Sequence, residues 1–234
     1  MTMKYNIFAA LLLMLAGVQN ASAQKVTLHK AGGEAVEFNI SRIDSIAIVG
    51  RYDTDTKEFV DLGLPSGTLW ATCNIGASKP EGYGYYFAWG ETEPKTSYTW
   101  GNYKYCEGEE NTLTKYCQDS DNGYQGFTDS RTQLETADDA ATAKWGSEWQ
   151  LPSKAQIEEL LNQEYNKVEM STQKGVVGLL VTSKSNGNSI FLPAAGYDNR
   201  VHVGSWGNYW SRSVYPTTYE AWYLNFGAGV IIRG

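Results

Sequence analysis

The sequence predicts an α+β fold in which two short helices are set between runs of antiparallel strands and long irregular loops. Two observations carry this. Apolar residues alternate with period two in several short segments on either side of a central stretch with helical periodicity, and strands grouped apart from helices indicate α+β and not an alternating βαβ order. The 234 residues include 24 Gly, 16 Tyr and 8 Trp but only 19% charged residues, a balance that favours strands and ordered loops over a helical bundle. The same balance is too aromatic and too weakly charged for disorder. A formal net charge of −7 argues against a phosphate-backbone binder, which needs a basic face.

Taken in chain order, residues 1–23 read as a secretory signal peptide. Lys4 supplies the charged start, Ile7 to Ala16 the apolar run, and Ala21-Ser22-Ala23 the small-residue cleavage site. The run is too short to span a bilayer, which takes about 20 residues, and no later segment is long and apolar enough to do so. The expected localisation is export, to the cell surface, the medium or the periplasm. Residues 24–50 read as a short β unit, with alternation at Lys25–His29 and Ala35–Ile40 around the turn Ala31-Gly32-Gly33-Glu34. Residues 51–58 form a polar connector.

The main domain is expected over 59–234. Phe59 to Trp70 reads as strand, Pro65-Ser66-Gly67 turn, strand, and Tyr83 to Gly90 as an aromatic strand. Thr92 to Glu135 is a long polar loop, of the kind that is functional, internally packed or clipped. Cys106 and Cys117 bracket ten of its residues, and a disulfide there is expected to pin it by about 2–3 kcal/mol. A helix is expected over Ala137–Trp145, with Asp138 and Asp139 in its first turn and Gly146 as its C-cap. A second starts at Ser153, where Ser153 and Gln156 form a capping box and Ile157, Leu160 and Leu161 share one face. Strands return at Val176–Thr182, at Ser189–Leu192 after the turn Ser185–Asn188, at Gly207–Ser211 and at Ala221–Phe226.

Several of these segments resemble one family. Val60-Asp61-Leu62-Gly63-Leu64-Pro65-Ser66-Gly67-Thr68-Leu69-Trp70-Ala71, Tyr86-Phe87-Ala88-Trp89-Gly90-Glu91-Thr92, Asp138-Asp139-Ala140-Ala141, Trp149-x-Leu151-Pro152-Ser153 and Gly187 to Tyr197 follow one another in order. Together they resemble the Fibrobacter succinogenes major paralogous domain, common in exported proteins of Bacteroidetes. The resemblance implies a C-type-lectin-like fold of the branch shared with formylglycine-generating enzymes. Gln150 stands where these relatives usually carry Arg. Asp44-Ser45-Ile46 is similar to the acceptor motif for bacteroidal O-glycosylation.

The residues that chemistry would need are sparse. The cysteine pair used by formylglycine-generating enzymes has no counterpart, because nothing after Cys117 is Cys. His29 and His202 are the two histidines, too few for the iron sites of related synthases and without metal-ligand spacing. Glu91 and Glu93 are the candidate acid/base pair. Glu93-Pro94-Lys95 places a cation where a calcium-dependent lectin needs a ligand oxygen, and the loop acids Asp119, Asp121 and Asp129 with Asn122 are the best candidates for a structural calcium. No catalytic residue, metal or cofactor is assigned.

The strongest functional signal is C-terminal. Residues 197–226 hold nine aromatics interleaved with Ser, Gly, Asn, His and Arg, the mixture of rigid amphipathic rings and small polar partners that suits recognition. Alternation assigns Tyr209 or Trp210, with Trp222, Leu224 and Phe226, to packing. It leaves Tyr197, Asn199, Arg200, His202, Trp206, Tyr215, Tyr219 and Tyr223 as ligand-binding candidates. The function expected is a non-enzymatic, exported binding module for a glycan or a surface protein. The alternatives are an assembly subunit that pairs through residues 25–50, or an enzyme descendant. N-terminal sequencing of the exported protein should read from Gln24; retention of Met1–Ala23 would contradict the signal-peptide reading.

Overall fold

The computed structural model describes residues 25–29, 35–39, 58–197, 201–216, 220–227 and 230–233. Residues 1–23, read above as a signal peptide, Ser45 and residues 51–57 lie outside them. The chain divides into two compact units after Tyr52. In the first, β1 (Lys25–His29) and β2 (Ala35–Asn39) pair antiparallel, Lys25 opposite Asn39 and His29 opposite Ala35.

The second unit is α+β, with antiparallel sheets and few helices. Its first ladder joins β3 (Phe59–Asp61) and β4 (Leu69–Ala71) across the Pro65-Ser66-Gly67 turn. Two helices follow, α1 (Ala140–Trp145) and α2 (Lys154–Leu161). Then β5 (Asn166–Gln173), β6 (Val176–Ser183) and β7 (Ser189–Pro193) form a meander. The last sheet has the order β10-β9-β8, from β8 (Gly207–Val214), β9 (Ala221–Phe226) and β10 (Val230–Arg233).

Helix α2 forms as its sequence predicts. The Ser153 hydroxyl accepts from the Gln156 amide, and the Gln156 side chain accepts from the Ser153 amide. Ile157 and Leu160 are buried in a core with Leu62, Leu179, Val181, Leu224 and Phe226. That core joins the meander to the C-terminal sheet.

Other segments differ from the sequence reading for identifiable reasons. Helix α1 starts at Ala140, not Ala137, because Asp139 is its N-cap. One Asp139 oxygen accepts from Ala141 and Thr142 at 2.9 and 3.0 Å, and the other from the Leu151 amide at 2.9 Å. This carboxylate therefore caps the helix and ties it to the entrance of α2, at about 1 kcal/mol for the cap alone. Tyr83–Gly90 is irregular and not a strand. Gly84 takes φ +72°, and a Cβ there would lie 2.4 Å from the Ile75 carbonyl, so the chain bends where a strand would run straight. Strand β5 has no apolar alternation strong enough to mark it; pairing with β6 across Lys174-Gly175 creates it.

Cys106 and Cys117 are not paired. The Cys106 thiol faces the Trp100 carbonyl at 3.1 Å and the Cys117 thiol the Asp119 carbonyl at 3.0 Å. The long loop is held instead by aromatic packing and charge. Trp89 and Tyr105 each meet Tyr116 edge to face, and the three rings share a second buried cluster with Leu134, Val214 and Ala221. At its margin Asp138 is buried and accepts from Lys115 Nζ and the Tyr116 hydroxyl, each at 2.6 Å, with Lys104 Nζ at 3.3 Å. Lys115 also reaches Glu135, which in turn holds Arg131. The sequence reading placed Asp138 at a helix start; its role is to anchor this loop.

Burial raises the cost of charging Asp138, but the hydrogen bonds from Lys115 and Tyr116 and the Lys115 charge outweigh it and hold its carboxyl at about 2. Burial and the Asp138 contact push the Tyr116 phenol up to about 12. A carboxyl depressed on folding contributes stability above its unfolded pKa, and that contribution is lost as pH falls towards its folded value. Asp138→Asn should therefore lower Tm at pH 7 and flatten the loss of stability between about pH 4 and pH 2. An unchanged Tm, or an unchanged acid limb, would contradict this role.

Candidate functional site

The C-terminal sheet carries a concave surface on the face opposite its packed side. In β9, Leu224 and Phe226 point into the core, while Tyr223 and Asn225 point the other way. In β8, Tyr209 packs in a stacked arrangement on Phe226, with ring centres 5.9 Å apart. Its hydroxyl donates to the Pro193 carbonyl at 2.7 Å and accepts from Asn74 at 3.1 Å, and burial pushes that phenol upward. Trp210 turns outward, 37% exposed, and meets Tyr223 edge to face at 5.5 Å.

The loop before β8 closes the surface. Tyr197 and Val201 exchange backbone hydrogen bonds at 3.0 and 2.9 Å, and Gly196 donates to the Trp206 carbonyl at 2.6 Å. Gly196 has φ +71°, and a Cβ there would lie 2.2 Å from the Val201 carbonyl, so only glycine lets the loop fold back this tightly. The imidazole of His202 then lies between two rings, 5.6 Å from Tyr197 and 6.0 Å from Trp206.

These elements bring Tyr197, Trp206 and Tyr223 together with Asn208 and Asn225 around a pocket of about 240 Å³. Asn225 is buried and donates to the Asn208 side-chain carbonyl at 2.8 Å, which orients both amides. The pocket adjoins a larger cleft of about 980 Å³ and shares Tyr197, Asn208 and Tyr223 with it. Beyond Tyr223 the cleft is walled by Trp210, Arg212, Trp149 and Gln150. The irregular aromatic segment forms part of the same cleft and is fastened to its surroundings. Phe87 accepts from the Trp210 indole at 3.0 Å, and the Tyr86 hydroxyl donates to the Ala195 carbonyl at 2.5 Å.

Of the eight candidates read from the sequence, Tyr197, His202, Trp206 and Tyr223 meet here. Tyr215 does not: its ring packs 4.7 Å from Trp222, which also lies under Lys154 and belongs to the other face of β9. Trp222 is thus half-buried at that surface and not in the core with Leu224 and Phe226. Asn199, Arg200 and Tyr219 lie outside the described residues. The sequence reading missed Asn208, Asn225, Trp210 and Arg212. Alternation was the available signal: it put Asn225 on the face of Tyr223, and regular pairing of Asn208 with Asn225 and of Trp210 with Tyr223 puts those two there as well, whereas Arg212 lies in the irregular stretch between Trp210 and Val214, which has no local marker.

The other candidate chemistry is dispersed. Glu91 is buried against Lys95 at 2.6 Å and accepts from the Lys104 amide, while Glu93 pairs with Lys144 at 2.6 Å. Asp119 caps the turn at Ser120–Asn122, and Asp129 binds Arg131 and the Tyr116 amide, so the loop acids point to different partners. Among the described residues no helix is long and apolar enough to cross a membrane. Compared with protein-family models, curated proteins and solved structures, the chain matches none.

Gly196→Ala should break the Tyr197–Val201 pairing. Hydrogen exchange at the Tyr197 and Val201 amides is expected to speed up by about tenfold or more while the β5–β6 amides keep their protection. Unchanged exchange at those two amides would contradict the closed loop.

Proposed function

We propose that the mature chain is an exported, non-enzymatic binding module that takes a glycan in the pocket bounded by Tyr197, Trp206, Asn208, Tyr223 and Asn225. The observation that carries this reading is the convergence of three aromatic side chains with two mutually oriented amides in one concavity. Aromatic faces cover the apolar side of a sugar ring, and fixed amides supply the donors and acceptors that its hydroxyls require. The adjoining cleft gives an extended ligand room to continue past Tyr223.

A C-type-lectin-like scaffold fits this use. It is supported by the motif order in the sequence and by the arrangement of two helices between antiparallel strands, with the binding surface on irregular loops and the terminal sheet. The non-enzymatic reading is supported by the pairing of Glu91 and Glu93 with separate lysines. It is supported further by the thiols of Cys73, Cys106 and Cys117, each bonded to a backbone carbonyl.

A glycan array followed by calorimetry on the best-bound sugar tests the proposal. Trp206→Ala and Tyr223→Ala should each weaken binding by about 10- to 100-fold, and Asn225→Ala by about tenfold, with the folded state retained. A confirmed ligand indifferent to all three substitutions would overturn the site.

A further inference from the structure

Arg212 is the feature of the cleft that packing does not account for. It is half-buried in a wall shared with Trp149, Gln150, Trp210 and Tyr223. Its Nη1 donates to the Gln150 side-chain carbonyl, while its Nε is buried and has no hydrogen-bond partner. Among the described residues it makes no salt bridge, although a guanidinium with a buried Nε is normally paired with a carboxylate. The other cation lining the cleft, Lys115, is already held by Glu135 and Asp138. Glu91, Glu148 and Glu220 also line the cleft, and among the described residues Arg212 is the guanidinium that lines it.

The backbone holds Arg212 in place. Its amide donates to the Pro152 carbonyl at 2.9 Å, and its carbonyl accepts from Leu134 at 2.8 Å. The neighbouring Ser211 carbonyl accepts from the Trp89 indole at 2.7 Å. A guanidinium fixed at its root and short of partners is preorganised for a planar two-oxygen anion, which it grips with parallel N–H bonds. The Gln150 amide nitrogen adds a donor beside it.

We propose that Arg212, assisted by Gln150, forms a subsite for the carboxylate of an acidic sugar, so that the module prefers uronate-containing chains over neutral ones. This rests on the glycan reading of the adjoining pocket: the neutral rings lie on Tyr197, Trp206 and Tyr223, and the carboxylate of a neighbouring unit reaches past Tyr223 to Arg212. Trp149, Trp210 and Tyr223 line the same cleft, and an apolar lining strengthens an ion pair formed there.

The test measures binding of oligogalacturonate, alginate oligomers and heparosan oligomers. Each is compared with its carboxyl-reduced counterpart, which keeps the ring and loses only the charge. At least one acidic chain should bind tenfold or more tightly than its reduced form. Arg212→Gln should erase that preference while leaving affinity for the reduced chain within about threefold, and Arg212→Lys should restore part of it. Thermal melts of both variants guard against unfolding; if Arg212→Gln unfolds, Arg212→Lys and Gln150→Ala carry the comparison. Equal affinity for acidic and reduced chains overturns the subsite but leaves the pocket proposal standing. So does a preference that survives in Arg212→Gln. Failure of every acidic chain also overturns the subsite, and binding of a peptide carboxylate through Arg212 in place of a sugar overturns the class of ligand.

Discussion

The second half of β8 is the constraint on which the rest of the unit depends. Pairing with β9 breaks register between Trp210 and Val214. A break of this kind leaves backbone donors and acceptors that must find other partners, because each unsatisfied buried group costs ~1–3 kcal/mol. They find them in three separate stretches of chain: Arg212 bonds to Pro152 and Leu134, Val214 to Thr132, and the Ser211 carbonyl to the Trp89 indole. The Ser213 hydroxyl accepts from the first residue of α2. One irregular strand thereby gathers the end of the long loop, the entrance of a helix and the aromatic segment around the same few residues. Trp210, paired with Tyr223, and Arg212, within the break, both line the cleft.

The long loop bears on the site through the same contacts. Its order comes from Asp138 and its partners and from the Trp89–Tyr105–Tyr116 cluster, and that cluster also contains Val214 and Ala221 from the last sheet. A thiol pair would have fixed the loop by one covalent link. The ion and aromatic contacts fix it at many points and seat its far end directly against β8. Cleft and loop are therefore one packing problem, and a wall held by such contacts in advance would lower the ordering cost of any binding there.

Features governed by local chemistry were legible in the sequence. The Ser153–Gln156 box, the turn at Ser185–Asn188 and the alternation in β9 each act over a few residues, and each appears where its residues predict. The α+β class follows from element order in the same way. Features governed by distant partners were not legible. Asp138 and Asp139 are neighbours of identical chemistry, yet one caps a helix and the other binds a lysine 23 residues earlier. Cys106 and Cys117 have the spacing of a bridge, but each thiol faces a carbonyl. Tyr83–Gly90 has strand composition, but Gly84 bends it against Ile75. At the site, Tyr197, Trp206 and Tyr223 were recognisable from composition, and Asn225 from alternation. Arg212 could not be found, because it lies in a break of register and is held by the Pro152 carbonyl and the Leu134 amide, some 60 and 80 residues earlier in the chain.

The central claim is that one continuous surface, from the Trp206 pocket across Tyr223 to Arg212, receives an oligosaccharide. Indole N–H resonances give the most direct test, since the chain has 8 Trp and they lie on different surfaces. During titration with the acidic chain that binds best, the Trp206 and Trp210 signals should shift together and saturate at one concentration. The Trp222 signal, on the opposite face of β9, should stay in place. A shift confined to Trp222, or saturation without movement of Trp206 and Trp210, would contradict the account.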